Sequence, residues 1–263
     1  MPDGQTPGAQ SGAVRWTTIT EVLTGLDGVI AVARERGTAD GYFAALYRRV
    51  TAEVEARILR GDFADAERMA RFDVIFARRY LDAWHRHERG EAPSACWGVA
   101  FGCGRSFWPV VMQHLLVGMN AHINLDLGVA AAEVSPGAAI HDLEADFRLI
   151  NQVLADLVDD VQQRMGEIWP GVKWLDRAGG GIDEKLVNFS IDRARAAAWR
   201  AALALAAEPD AVRRQSRIDE LDTQMARIGR GVLAPGWRAA AVLAVVRLRE
   251  RGSVAEKLDV LLR

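Results

Sequence analysis

The feature that most constrains the fold is a stretch without any Asp, Glu, Lys or Arg, from Ser106 to Leu125. Its pattern is typical of helix, and at about 100° per residue apolar side chains occupy nearly the whole circumference. Such a helix must be enclosed by other helices or by lipid. The stretch has about the length of a membrane span, but it contains a proline, a glutamine, two histidines and two asparagines. The sequence therefore predicts a central helix buried in a bundle, with no membrane span.

The rest of the chain supports a helical bundle, because strand patterns are nearly absent and Gly and Pro separate successive helical patterns. The predicted helices cover residues 18–36, 38–60, 63–89, 105–132, 138–166, 181–207, 209–229, 235–251 and 253–262. The predicted fold class is all-α, a single multi-helix bundle with a buried central helix hairpin. Residues 1–16 are predicted to form a disordered arm and residues 17–263 one helical domain, whose C-terminal helices (207–263) pack on the bundle.

Charge and cysteine content narrow the class of protein. The 33 basic and 35 acidic residues are mixed along the chain and give a net charge of -2. The sequence has no cluster of basic residues of the kind that binds nucleic acid, so no nucleic-acid partner is predicted. The start of the chain lacks the basic and apolar regions of a secretory signal, which favours a cytoplasmic protein. Cys96 and Cys103 have no second cysteine pair beside them and are predicted to be reduced, buried thiols.

The polar residues of the central helix fall into two stripes. Gln113, Asn120 and Asn124 cluster on one side within about 40° of one another, and this amide stripe is expected to lock helices together. On the other side, His122 and Asp126 lie about 40° apart. A histidine and a carboxylate that share one face of a buried helix are candidates for chemistry.

The short connection EVSPGA predicts an antiparallel hairpin between helices 105–132 and 138–166. With Pro136 as the turning point, Asp126 lies level with Asp146, and His122 lies level with Asn151. The sequence therefore predicts a catalytic cluster of His122, Asp126 and Asp146, with Asn151 as a substrate contact beside it.

Three chemistries would suit this cluster, and the residues leave the choice open. His122, Asp126 and Asp146 could ligate one divalent metal with an open coordination position. Without a metal, a carboxylate could orient His122 as a general acid or base. Paired carboxylates could also hold magnesium and a diphosphate. The alternative to all three is a buried polar network in which these groups only satisfy one another.

Further substrate contacts are predicted on neighbouring helical faces. Met119 shares the sector of His122 and Asp126 on the wheel, and Trp199 lies on or near the face of its helix that carries Arg195. Arg195 either pairs with Asp192 at i, i+3 or reaches inward to a carboxylate or a bound anion. The segment VDDVQQR, with Asp159, Asp160 and Arg164, resembles the aspartate-rich motif of class I terpene cyclases without meeting its D-D-x-x-D pattern.

The string GMNAHINLDL (118–127), with RFDVIFARRYLDAW upstream and RARAAAWRAA downstream, resembles an uncharacterised helical bacterial family of unknown function over roughly 40–207. That resemblance implies an all-helical domain and marks Asn120, His122, Asn124 and Asp126 as its signature. It transfers no activity. The H-x-x-x-D spacing is also similar to the metal-ligating pairs of helical zinc phospholipase C and nuclease folds, whose remaining histidine ligands have no matching motif here.

Three functions are compatible with these features. The first is a small-molecule enzyme whose interior His/Asp site carries out acid–base or metal-assisted hydrolysis, elimination or cyclisation. The second is a non-catalytic protein that binds a hydrophobic, lipid-like or isoprenoid-like ligand. The third is a magnesium-dependent isoprenoid cyclase. A divalent metal is the one cofactor that the residues suggest.

Overall fold

A computed structural model describes residues 16–150 and 191–263, and in these two ranges the chain forms helices and no β-strand. The α-helices are α1 (Ile19–Arg36), α2 (Gly41–Arg60), α3 (Ala66–Glu88), α4 (Ala95–Gly102), α5 (Val111–Ala121), α6 (Leu127–Val134), α7 (Ile191–Ala206), α8 (Ala211–Leu233), α9 (Trp237–Arg249) and α10 (Val254–Leu262). The all-α helical bundle predicted from the sequence is confirmed. Residues 1–15 of the predicted N-terminal arm lie outside the described residues.

Local capping chemistry sets the bounds of the first two helices. The Thr18 side chain accepts a hydrogen bond from the Glu21 N–H, and the Glu21 carboxylate accepts one from the Thr18 N–H, which satisfies two free donors at the start of α1. Helices α1 and α2 end at Gly37 and Gly61, whose φ angles of +66° and +76° favour glycine. These ends agree with the prediction because the signals are local.

Helix α4 is a feature that the sequence did not predict, since 90–104 is rich in Gly and Pro. Its first N–H groups, those of Ala95 and Cys96, donate to the carboxylate of Asp222 on α8 at 2.6 and 2.8 Å. A negative charge at a helix N-terminus satisfies free donors and favours the helix dipole. Because the capping residue lies more than a hundred positions away, no local pattern could indicate it.

The central helix runs from Val111 to Val134 through α5, a π-helical turn (His122–Asp126) and α6. It is long and apolar enough to cross a membrane, and 89% of its most apolar window is buried inside the fold. Helices α8 and α9 pass the same test only as a pair bent by 66°. Helix α8 packs on α5 and α7 packs on α6, so a helix enclosed by other helices is confirmed.

Glycines let two neighbours approach the central helix closely. A Cβ at Gly128 would lie 2.8 Å from the carbonyl oxygen of Ala198, so this position brings α6 and α7 together. A Cβ at Gly118 would lie 2.6 Å from the ring of Phe43 on α2. Any side chain at either position would force a packed neighbour to shift.

The predicted alignment of Asp146 with Asp126 across the turn at Pro136 is wrong. After Ser135 the chain forms a seven-residue 3₁₀ helix (Gly137–Leu143), and only residues 144–150 continue as α-helix within the described range. A 3₁₀ helix turns about 120° per residue and an α-helix about 100°, so seven residues change the phase by about 140°. Counting from Pro136 along an ideal α-helix therefore places the later side chains on the wrong face.

Candidate functional site

His122 lies at the start of the π-helical turn, buried in a cage of aromatic rings. Its imidazole is stacked on Phe76 at 3.6 Å between centroids and 8° between planes, and Tyr47 meets it edge-on at 4.3 Å. The rings of Phe43, Tyr80 and Trp97 lie 5.5–6.3 Å away. These five residues, here called the aromatic cage, come from α2, α3 and α4 and leave His122 3% exposed.

The π-helical turn itself distinguishes this part of the central helix. The Leu127 N–H donates to the His122 carbonyl, an i to i+5 bond that replaces the usual i to i+4 pattern. Single π turns inside α-helices are rare and are frequent at functional sites. Here the turn contains both His122 and Asp126, and both side chains are buried.

The Asp126 carboxylate receives three donors. It accepts hydrogen bonds from Arg79 Nε at 2.7 Å and Trp97 Nε1 at 2.8 Å, and His122 Nδ1 lies 3.4 Å from Oδ2. Burial raises the pKa of this carboxyl, but the Arg79 guanidinium and the bonds from His122 and Trp97 outweigh burial and hold the pKa below its usual value. Asp126 is therefore ionised.

An ionised carboxylate can only accept, so the Asp126 contact places the imidazole proton on Nδ1 of His122. Burial lowers the pKa of His122, and the opposing effect of Asp126 does not reverse the shift. The ring is therefore neutral, with the lone pair on Nε2. That atom is buried and has no hydrogen-bond partner among the residues that the structure describes.

Four further buried polar atoms near the cage also lack a hydrogen-bond partner in the described ranges: Tyr47 Oη, Thr51 Oγ1, Asp73 Oδ2 and Tyr80 Oη. The Tyr47 and Tyr80 rings lie 6.0 Å apart, and Thr51 follows Tyr47 by one helical turn. The Thr51 hydroxyl is close enough to lower the pKa of Tyr47 slightly against the effect of burial. The two hydroxyls are nevertheless not placed so that one donates a hydrogen bond to the other. An unsatisfied buried polar group costs about 1–3 kcal/mol, so such a set indicates a place for water or a ligand.

Asp73 contributes the one carboxyl of these four groups. Burial, reinforced by the charge of Glu55, raises its pKa to about 7. The pKa of Tyr47 is raised well above its ordinary value by burial and by the charges of Asp73 and Asp126. Asp73 thus exchanges its proton near neutral pH, while Tyr47 keeps its own.

Asp146 does not join His122 and Asp126. Its carboxylate accepts from the N–H groups of Ala64 and Asp65 at 2.8 and 3.2 Å and from Arg68 Nη2 at 3.1 Å, before and within the first turn of α3. The phase change of the 3₁₀ helix gives the physical reason. Within residues 16–150 and 191–263, no group of three or more His, Cys, Asp or Glu side chains could hold a metal, so the expected triad of ligands is corrected to a His122–Asp126 pair.

The other residues predicted to contact a substrate are placed as follows. Met119 is buried in the main core, and Trp199 packs against Phe147 with ring centroids 4.8 Å apart. Arg195, for which the sequence left open an ion pair with Asp192 or an inward reach to a carboxylate or anion, is buried on α7. Asn151 lies outside the described residues. The aspartate-rich segment, with Asp159, Asp160 and Arg164, also lies outside them.

The amide stripe is confirmed as a lock between helices. Gln113 Nε2 donates to the carbonyl of Val232 at 2.8 Å, and Asn120 Nδ2 donates to the carbonyl of Met225 at 2.8 Å. Asn124 Nδ2 in turn donates to the side chain of Asn120 at 3.1 Å. The stripe ties α5 to α8. Cys96 and Cys103 are buried free thiols, as expected, and burial raises the pKa of both.

Sequence reasoning missed most partners of the His122–Asp126 pair. Arg79 is typical of a surface arginine, and Trp97 belongs to residues 90–104, for which no helix is predicted. Asp73 did leave a signal: it shares the i, i+3, i+4, i+7 stripe of Phe76, Ala77 and Tyr80, so a carboxylate interrupts an otherwise apolar face. Such an interruption marks a buried charge.

Comparisons with known proteins give one finding. A model of a family described as "Family of unknown function (DUF5995)" matches residues 19–235. Comparisons with curated proteins and with solved structures gave no significant match. The matched range contains His122, Asp126, Asp73 and the aromatic cage.

Proposed function

The chain belongs to the DUF5995 family, whose function is unknown, and we propose that it is an enzyme that carries out metal-free acid–base chemistry on a small molecule at His122. One observation carries the proposal: Nδ1 of His122 lies 3.4 Å from the Asp126 carboxylate, while Nε2 is buried without a hydrogen-bond partner in the described ranges. This is the arrangement in which a histidine acts as a general base.

Each member of the site has a role in this chemistry. His122 Nε2 takes a proton from the substrate, or from a water molecule that attacks the substrate. The Asp126 charge then stabilises the imidazolium, and the bonds from Arg79 and Trp97 keep that carboxylate ionised and oriented. Asp126 acts through His122 and is therefore a positioning residue.

Asp73 supplies a group that can return a proton. Its pKa of about 7 gives nearly equal amounts of acid and base at neutral pH, which is the best value for general acid–base catalysis. Tyr47 is linked to both groups, since its ring contacts His122 and the Asp73 charge raises the pKa of its phenol. Hydrolysis, elimination and cyclisation all need this pair of proton transfers.

The lining of the site selects the substrate class. Five aromatic rings surround His122, while the buried polar atoms without a partner in the described ranges are a nitrogen, hydroxyls and a carboxyl oxygen. Such a lining fits a small molecule with an apolar body and one or two hydrogen-bonding groups. Asp146, the third ligand of the predicted metal site, contacts the start of α3 instead, so the proposal assigns no step to a metal.

The test is conversion of metabolites by the purified chain. Wild-type protein and the variant His122→Gln are incubated with a small-molecule extract, and substrate loss is followed by mass spectrometry. We expect the wild type to consume a compound that His122→Gln leaves unchanged, with both proteins folded by circular dichroism. His141→Gln changes an exposed histidine of the 3₁₀ helix and is the matched control with full activity. Equal conversion by His122→Gln, or no conversion by the wild type, contradicts the proposal.

A second candidate function rests on a different cavity. An open, mostly apolar groove of about 490 Å³ is lined by the 3₁₀ helix and the end of α7, including Ile140, Leu203 and Ala206. This supports the alternative of a protein that binds a hydrophobic ligand. Native mass spectrometry after mild purification tests it: we expect a bound apolar molecule that is lost in Leu203→Arg, and a ligand-free wild type contradicts it.

A further inference from the structure

A separate cavity of about 210 Å³ lies between the start of α2, the loop before α5 and the helices α9 and α10. At about 30 Å³ per water it has room for roughly seven waters, enough for an inorganic anion or a small organic acid. Its polar lining consists of Tyr42, Arg105, Ser106, His114, Arg247, Glu250 and Lys257. Nothing in the chemistry proposed for His122 uses these residues.

Glu250 is the organising group of this cavity. Its carboxylate accepts from the Val111 N–H at 2.9 Å, from Arg247 Nη1 at 2.9 Å and from Lys257 Nζ at 3.2 Å. The Glu250 and Lys257 side chains are only 1% and 5% exposed. Burial of a cation is costly unless it is paired, so the position of Lys257 is maintained by Glu250.

The charges that line the cavity do not cancel. Among the described residues that line the cavity, Glu250 is the only carboxylate, whereas Arg105, Arg247 and Lys257 are all cationic. Glu250 offsets one of these charges, and Asp40, which is not part of the lining, interacts electrostatically with Arg105. A lysine has three donors and an arginine five, and Lys257 and Arg247 each give only one hydrogen bond to Glu250. Arg247 Nε donates to the carbonyl of Phe107 as well, which fixes the guanidinium at the cavity wall.

From this balance we propose that the cavity binds an oxyanion, the phosphate or carboxylate group of a small molecule. Lys257 and Arg247 supply the charge and Arg105 lies at the exposed mouth. Tyr42 adds a phenol that burial keeps protonated, since burial raises its pKa. Burial and the neighbouring Arg247 and Lys257 lower the pKa of His114 to about 4, so this ring is neutral and the positive charge comes from the three cations alone.

The test uses titration calorimetry on the full chain with two probes, inorganic phosphate and acetate, against chloride at equal ionic strength. We expect saturable binding of at least one probe, weakened at least tenfold in Lys257→Met and at least threefold in Arg105→Ala. Arg249→Ala removes an exposed cation of the same helix as Arg247 that does not line the cavity, and it should bind like the wild type. Arg105 is exposed, so Arg105→Ala remains informative if Lys257→Met fails to fold.

The outcomes separate the ligand sources and the two proposals. Binding of phosphate alone identifies a phosphate group, binding of acetate alone identifies a carboxylate, and binding of both identifies a general oxyanion site. No binding beyond chloride, or equal binding in wild type and Arg105→Ala, overturns the proposal. His122→Gln should bind the probe normally, so a failure of the proposed enzyme leaves this result intact.

Discussion

The aromatic cage around His122 and the cavity around Glu250 differ in how their buried polar groups are paired. In the cavity the Glu250 carboxylate accepts from three donors, and the lining residues carry more positive than negative charge. Around the cage, Asp126 is fully engaged, while His122 Nε2 and several neighbouring polar atoms have no partner in the described ranges. A paired group is held in place, and an unpaired one can serve a reacting molecule. This difference is why we propose binding at Glu250 and chemistry at His122.

The two regions also differ in their relation to the family. The whole cage lies within the matched residues 19–235, whereas Arg247, Glu250 and Lys257 lie beyond them. The proposed proton chemistry at His122 therefore lies inside the matched range, whereas the proposed oxyanion binding needs residues of α10 and of the end of α9, outside it.

The largest effect is expected from breaking the paired group. Glu250→Gln removes the charge that holds Lys257 and Arg247, and loss of one partner of a buried ion pair costs about 3–5 kcal/mol. Asp259→Asn removes the partner of Arg34 in an exposed ion pair and should cost less than about 1 kcal/mol. Urea unfolding of both variants measures the contrast. Equal destabilisation would show that the Glu250 cluster is no more structural than a surface pair.

Asp73→Asn should stabilise the protein at alkaline pH. The pKa of Asp73 is about 7 in the folded protein and about 3.9 in the unfolded chain. Its contribution to the free energy of unfolding is therefore fully present below pH 4, where the carboxyl is protonated in both states, and is lost as the pH rises through 7. Asparagine stays neutral throughout. The gain over wild type should grow from near zero at pH 4 to at most about 4 kcal/mol at pH 8, at about 1.36 kcal/mol per pKa unit.

Unfolding free energies of Asp73→Asn and wild type at pH 4, 6 and 8 check this dependence. A constant difference across the three values would mean that the Asp73 carboxyl titrates normally, and its role as a proton donor would be lost with it.

A smaller loss is expected from removing one donor of Asp126. Trp97→Phe keeps an aromatic ring in the cage but removes the indole N–H, and a hydrogen bond to a charged group contributes about 1.5–3 kcal/mol. Arg79 and His122 still hold the carboxylate. The unfolding free energy gives the cost, and an unchanged value would contradict the engagement of Asp126.

The smallest effect is expected from Tyr47→Phe. The Tyr47 hydroxyl is buried without a hydrogen-bond partner in the described parts of the chain, so its removal should raise the free energy of unfolding by about 1 kcal/mol, the low end of the cost of an unsatisfied buried group. Thermal unfolding measures the change. A loss above about 2 kcal/mol would reveal that the hydroxyl is bonded, and the contrast between the two regions would weaken.

Features of the fold and of the site could be predicted from the sequence where residues close together in the chain determine them. Residue periodicity identified the enclosed central helix, its amide stripe and the His122–Asp126 pair, because all three depend on spacing within one helix. The predicted position of Asp146 was wrong because a 3₁₀ helix changes the phase of the residues after it. Helix α4 is capped by Asp222 from far along the chain, and the cage needs the rotations of α2, α3 and α4, which no local pattern specifies.

The protonation of His122 tests the central claim most directly. Long-range ¹H–¹⁵N NMR spectra report the tautomer of each of the five histidines, and His122→Gln assigns the signal of interest. At pH 7 we expect a neutral ring with the proton on Nδ1 and a bare Nε2, and a pKa below the ordinary value for histidine. An imidazolium at pH 7, or a neutral ring with its proton on Nε2, would contradict a free base at His122.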